Sequence, residues 1–260
     1  MFQPVKDAFG RYLVRFFSGL SPTTKPLREF VTRAPKSAIQ YAPSRMVDQA
    51  NEMFIKYLRA DVKKNLPDVP CERCKPATTA HLMPVILVAL SQDVTPTPRE
   101  YTRQVTEKVP FTFPDDPKQR VFRVQTIAND IRAQVVFFAE DEPTARSMAA
   151  QFLLFLDEFP NRRFYAEYEF AGFKWRGACQ VDNPEVFTPS MDTGTKNLVV
   201  LASDVTLRCT VPIFFAPKKD EPNDGKGQAG SMKNPAGYPV VLETSIRDNG
   251  AEIANVSAES

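Results

Sequence analysis

The 260-residue sequence predicts an α+β fold, a mostly antiparallel sheet with helices packed on one face. Three observations carry this. Segments near residues 5–20, 44–58 and 145–159 repeat apolar side chains at helical spacing. Too few strand-like segments alternate with helices for a doubly wound parallel sheet. An apolar content of 43% is enough to fill a real core. The composition changes after residue 217, so the expected division is an α+β domain over 1–217 and a flexible C-terminal arm over 218–260.

The first helix is expected over 5–20, where Val5, Phe9, Tyr12, Leu13, Phe16, Phe17 and Leu20 make one aromatic-rich stripe. Gly10 weakens it, and Gly19 with Ser21-Pro22 ends it. Lys6, Arg11 and Arg15 lie off the apolar centre, which makes the helix amphipathic and basic. Docking on its own core is the commoner fate of such a helix than a membrane surface, and the stripe is equally suited to a neighbouring subunit. "SAIQYAPS" then reads as a short strand ending at Pro43. A second helix starts near Ser44, a suitable N-cap, with Met46, Val47, Ala50, Met53, Phe54, Tyr57 and Leu58 on one side. Residues 67–80, "PDVPCERCKPATTA", form a proline-punctuated loop. "LMPVILVALSQ" is apolar enough for a strand buried on both faces, despite Pro84 near its start.

Residues 93–119 contain five prolines and read as a long excursion with one strand at "EYTRQVTEKV". "IRAQVVFFAE" is a central strand, with Ile131, Ala133, Val135 and Phe137 on one face and Val136 and Phe138 on the other. "DEP" then starts a helix with an acidic cap and an early proline. Its stripe is Ala145, Met148, Ala149, Phe152, Phe155, Leu156 and Phe159, and Pro160 ends it. "RRFYAEYEFAGFKWRGACQV" is a hairpin turning at Ala171-Gly172. "NLVVLASDVTLRCTVPIFFAP" supplies the last long strand, its pairing closed by Pro212. "KKDEPNDGKGQAGSMKNPAG" is too polar to bury much area, which predicts flexibility. "YPVVLETSI" beyond it can add to a sheet edge, its own or a neighbour's.

Charge excludes a global nucleic-acid signature, since 33 basic residues face 31 acidic ones. The balance is uneven: residues 1–80 carry 14 Lys and Arg against 7 Asp and Glu. That basic third is either a solvated face or a surface for an acidic partner. Lys6, Asp7, Arg11 and Arg15 interrupt the opening segment, which excludes a secretory or membrane-spanning stretch there, so the expected compartment is cytosolic with reduced thiols.

The residues that chemistry needs are scarce. His81 is the one histidine, and it precedes a buried strand, where a structural role is expected. No phosphate-binding glycine loop, nucleophile elbow or zinc-protease motif occurs. The acidic run Glu140-Asp141-Glu142 sits at a helix N-terminus, where acids are favoured for structural reasons. Asp157 and Glu158 lie about four turns away and cannot share a site with it. Among the cysteines only Cys71 and Cys74 have ligand-like spacing; with His81 they are the metal-ligand candidates, set against loop cysteines that simply pack. Cys179 and Cys209 are too far apart in sequence to complete a zinc ribbon. No catalytic residue, cofactor or enzyme activity is expected.

Several segments taken in order resemble a known family. They are Met-Phe leading into the aromatic-basic helix, "IQYAPSRMVDQANEMF", "VVFFAEDEPTARSMAAQFLLFLDEF" and "LRCTVPIFFAP". This order, over residues 1–217, resembles the tail terminator or tail sheath stabiliser of contractile-tailed bacteriophages. The "CERC" loop and the C-terminal arm depart from that pattern. The resemblance implies a homo-hexameric ring at the head-proximal end of the tail. Such a ring caps the tube, holds the last sheath ring and meets neck or head-completion proteins. It implies a place in the virion after assembly in the host cytoplasm, no membrane, and DNA only as it passes through the ring. Interface candidates are then Phe9, Arg11, Arg15 and Phe16 on the first helix, and Tyr238, Val240, Val241 and Leu242 in the arm. Two other readings stand beside it: another phage neck or baseplate adaptor, and a small metal or redox protein built on Cys71 and Cys74.

Overall fold

The structure is a computed structural model, and it describes residues 2–41, 83–97, 107–182, 190–191, 198–240, 243–248 and 251–257. The fold is α+β, as its pattern predicts. In chain order the described elements begin with α1 (Phe2–Ser18), α2 (Lys25–Phe30), α3 (Pro35–Ala38) and β1 (Ile39–Tyr41). β2 (Val85–Pro96), β3 (Val109–Thr112), β4 (Val121–Ala139) and α4 (Glu142–Asp157) follow, then a 3-10 turn at Phe159–Arg162. β5 (Arg163–Phe170), β6 (Phe173–Val181), β7 (Ser190–Met191), β8 (Val199–Phe215), β9 (Glu243–Asp248) and β10 (Ala251–Ser257) complete the order. The main sheet runs β1-β2-β4-β8-β6-β5, with β3 on β4 and β7 on β8, while β9 and β10 pair with each other. β1 is parallel to β2, and β2 and β3 pair antiparallel with β4, as β6 and β7 do with β8. The helix expected at 44–58 and the loop at 67–80 lie outside the described residues. Among the described residues no helix is long and apolar enough to cross a membrane.

The chain divides into two compact units, the first made of Met1–Thr102, Ala128–Glu167 and Arg176–Val211. Its register places Ile86 opposite Phe137 and Val88 opposite Val135, so these four share one face; Val85, Leu87, Val136 and Phe138 share the other. Both faces are buried, which is why "VILVA" and "VVFFA" read as continuous apolar runs rather than alternating ones. Val85, Leu87, Val136 and Phe138 form a cluster with Met83, Ala89, Val200 and Ala202. On the Phe137 face α1 and α4 close an aromatic seam. Phe16 sits with ring centroids 6.3 Å from Phe137, 5.1 Å from Phe152 and 5.5 Å from Phe155. One turn earlier Tyr12 lies 5.4 Å from Phe155 and 5.1 Å from Phe164 of β5. Gly10, unfavourable for helix propensity, makes room for Tyr41: a β-carbon there would stand 3.1 Å from the Tyr41 hydroxyl. That hydroxyl donates to the Lys6 carbonyl at 2.5 Å and ties β1 to α1.

α4 begins as its acidic start predicts: Asp141 caps it, accepting from the Thr144 N–H at 2.8 Å. The expected stripe holds for Ala145, Met148, Ala149, Phe152 and Leu156, but α4 stops at Asp157 and Phe159 is 60% exposed. The β5–β6 turn needs a positive φ at both central residues, and Ala171 at 54° and Gly172 at 82° supply it. Pro212 does not close β8, which runs on to Phe215.

The second unit comprises Arg103–Ile127, Tyr168–Trp175 and Pro212–Ser260. Its apolar centre is Phe113, Phe122 and Ala171, with Phe111, Phe170, Phe173, Trp175 and Phe214 packed around them. The strand expected within 100–109 is shifted: β3 starts at Val109, and residues 98–106 lie outside the described set. The stretch expected to be flexible differs most. Between residues 218 and 238 the chain closes on itself, with the Gly237 N–H donating to Asp224 Oδ1 at 2.9 Å and the Gln228 N–H to the Asn234 carbonyl at 2.8 Å. Gly227 is required, because a β-carbon there would overlap the Pro235 carbonyl of the loop's own backbone. One buried cation holds the loop: Arg120 Nη1 donates to Asn234 Oδ1 at 2.9 Å and to the Pro235 carbonyl at 2.8 Å. Its Nε meets Asp116 Oδ2 at 2.8 Å, with both side chains almost wholly buried. The order comes from hydrogen bonds, the loop's own and those of the Arg120 guanidinium, rather than from the apolar area that composition measures. Beyond the loop, the Tyr238 N–H donates to the Val121 carbonyl at 2.7 Å, a single bridge onto the chain's own strand.

Truncating the seam residue Phe16 to Ala is expected to cost about 3–5 kcal/mol in denaturant unfolding, and a loss under about 1 kcal/mol would contradict the seam's role. For Asp116, burial pushes the carboxyl up, but the Arg120 side chain, the Lys118 and Arg120 N–H groups and the Arg120 charge together hold it below its ordinary value. A depressed carboxyl contributes stability above its unfolded value and loses it as pH falls through the folded one. Arg120→Met leaves that carboxylate buried without a cation and is expected to destabilise the second unit by about 3–5 kcal/mol at neutral pH. The gap from wild type should narrow as pH falls below about 4, where the carboxyl protonates, and keep the part due to the lost Asn234 and Pro235 hydrogen bonds, followed by emission of Trp175. A gap that stays constant with pH would contradict this assignment.

Candidate functional site

The first unit carries one surface where charge and aromatic rings converge. α1 contributes Ala8, Arg11, Tyr12 and Arg15; β5 contributes Arg163, Phe164, Tyr165 and Glu167; β6 contributes Arg176. They line an open cleft of about 340 Å³. The seam explains how it forms. Phe9, Tyr12 and Phe16 turn into the core, so the helical period turns Arg11 and Arg15 outward beside β5. On β5 the alternation is strict, with Phe164 and Ala166 buried and Arg163, Tyr165 and Glu167 exposed.

Four guanidiniums meet a single carboxylate there, and that pairing is loose: Arg176 Nε stands 3.9 Å from Glu167 Oε1. Arg15 is positioned by its neighbours, donating to the Asn161 carbonyl at 3.1 Å with its guanidinium 5.5 Å from the Tyr12 ring and 5.4 Å from the Phe155 ring. Arg163 lies 4.6 Å over the Phe159 ring. Arg11 has no partner among the described residues. The Tyr12 hydroxyl is buried without a hydrogen-bond partner among the described residues, and burial raises its phenol well above the ordinary value, against the Arg15 and Arg162 charges that lower it. Tyr165, 58% exposed, and Phe159 add the aromatic rim.

The interface candidates on α1 therefore separate. Phe9 and Phe16 are buried at 0% and 2% and belong to the chain's own core, so they present nothing to a neighbour. Arg11 and Arg15 are exposed, and the structure joins them to Arg163, Tyr165 and Arg176, which the sequence reading passed over. The alternation of "RFYAE" was legible, but its position beside α1 required the fold. In the arm, Tyr238 is half-buried under the Arg123 guanidinium, 4.3 Å from its ring, whereas Val240 is exposed. Val241, Leu242, Cys71, Cys74 and His81 lie outside the described residues.

Two other polar groupings lie in the first unit. Arg208 bridges Asp130 at 3.2 Å and Asp182 at 2.8 Å, and the Thr97 hydroxyl donates to Asp130 at 2.6 Å; this clamp ties β4 to β8 and occupies the Arg208 charge internally. Cys179 and Cys209, thirty residues apart in sequence, stand directly opposite each other on β6 and β8, both buried. A hydrogen bond with Cys179, then burial, pushes the Cys209 thiol far up, so neither the nucleophilic nor the metal-binding thiolate form is favoured. Among the described residues, no group of three or more His, Cys, Asp or Glu side chains is placed to hold a metal ion.

No protein-family model matches the chain, and no curated protein shows significant similarity to it.

Proposed function

We propose that this chain is a structural assembly protein, and specifically the terminator of a contractile bacteriophage tail. On this reading it forms a ring at the head-proximal end of the tail and joins tube and sheath to the neck, with no reaction to catalyse. The observation that carries the assembly part is the cleft surface. Exposed arginines interleaved with Tyr165 and Phe159 have the composition of interface hot spots, not of a solvated face rich in lysine and glutamate. The surface also borders β5, the end strand of the sheet path among the described residues. A head-to-tail contact of such a surface with a different face of the next copy closes into a ring. The tail-terminator part is supported by the order of the sequence segments: the aromatic-basic helix, the Tyr-bearing strand, the acid-capped long helix and the final strand ending in aromatics.

Native mass spectrometry and electron microscopy of the purified chain, alone and with polymerised tail tube, test this. The expected result is a six-fold ring, at least when tube is present. A ring of another order would move the chain to a different neck or baseplate position. A monomer under every condition would overturn the assembly reading.

A further inference from the structure

The cleft holds a marked excess of positive charge in a partly apolar setting, and its composition selects among anions. A free phosphate needs only cations and N–H donors, so the rings of Tyr12, Phe164 and Tyr165 would be idle walls around it. A nucleic-acid backbone needs a basic track over many phosphates, but this chain's charge is nearly balanced and Arg208, in the same unit, is already paired with Asp130 and Asp182. Acidic side chains on a protein segment satisfy both features. Their carboxylates pair with the guanidinium forks, and their methylene stems and apolar neighbours lie on the rings.

We propose that the cleft formed by Arg11, Arg15, Arg163 and Arg176 with Tyr165 is the receptor for an acidic segment of a partner protein chain, one carrying two or more Asp or Glu residues next to apolar ones. This deepens the assembly reading and rests on it. Arg11, without a partner among the described residues, and Arg176, whose ion pair among those residues is the loose Glu167 contact, are the two cations placed to engage such a segment. Arg15 and Arg163, stacked on Phe155 and Phe159, form the fixed part of the receptor.

The test uses the full chain and a fluorescein-labelled peptide of alternating glutamate and leucine, followed by anisotropy. A glutamine–leucine peptide, inorganic phosphate and a short oligothymidylate of equal charge serve as the other arms. The glutamate peptide is expected to bind, and to weaken about tenfold or more in Arg11→Gln/Arg176→Gln and between about 50 and 300 mM salt. The glutamine peptide should bind at least about tenfold more weakly. Both substituted positions are exposed, so the melting temperature should be unchanged, and Tyr165→Ala, which keeps every charge, should also weaken the peptide. The proposal is overturned if oligothymidylate binds as tightly as the peptide, if phosphate alone displaces the peptide at comparable concentration, or if the double variant binds peptide normally. Sedimentation of the unsubstituted chain separates the two readings. Rings without binding of the glutamate peptide sink the receptor and leave assembly standing; peptide binding with no ring in any condition does the reverse.

Discussion

The interaction on which the rest of the structure depends is the aromatic seam among α1, α4 and the sheet. Phe16 touches Phe137, Phe152 and Phe155, while Tyr12 and Phe9 reach Phe164 on β5. Aromatic pairs at these separations add orientation to the energy of burial. They fix the rotation of α1 about its own axis, and that rotation decides which side chains the helix shows to solvent. A turn of one residue, about 100°, would drive a charged side chain into the seam and bring Phe16 toward water. Polar contacts agree with the register: Gln151 bonds both the N–H and the carbonyl of Ser21, and the Thr24 and Thr144 hydroxyls meet at 2.7 Å.

From that rotation follows the arginine-rich cleft beside β5. Arg15 is positioned by the rings of Tyr12 and Phe155, so little side-chain entropy remains for a partner to remove from it, while Arg163 lies over the exposed ring of Phe159. The second unit uses a different device. There a single buried guanidinium, Arg120, replaces apolar area as the organiser of a polar loop, and its counter-ion Asp116 makes that order sensitive to acid. The first unit is held by many small contacts, the loop of the second by a few strong ones.

Much of this was legible in the sequence, for identifiable reasons. The stripes of α1 and α4, the Asp141 cap, the Ala171-Gly172 turn and the two faces of β4 all arise from local periodicity or turn chemistry. What was missed depends on distant partners. The first half of β4 was not read as strand because Arg123, Gln125, Asn129 and Asp130 interrupt its apolar pattern; Asp130 is tolerated there because Arg208 and Thr97 satisfy it. The loop of residues 218–238 looked unable to order because its anchor, Arg120, lies about a hundred residues earlier. Phe9 and Phe16 were read as possible interface residues because an aromatic stripe does not reveal whether its partner is the same chain or another. Arg163, Tyr165 and Arg176 gave no signal, since exposed charge on a strand is ordinary until a helix lies beside it.

The central claim is that the seam holds an arginine-rich surface outward and that the chain assembles through it. Amide hydrogen exchange on the free and the assembled chain measures this most directly, because β5 ends the sheet path among the described residues and its outer amides have no strand beyond it. The account predicts that assembly slows exchange across residues 163–167 and leaves the seam helices as protected as before. Assembly that leaves residues 163–167 unchanged and protects only other parts of the chain would contradict it.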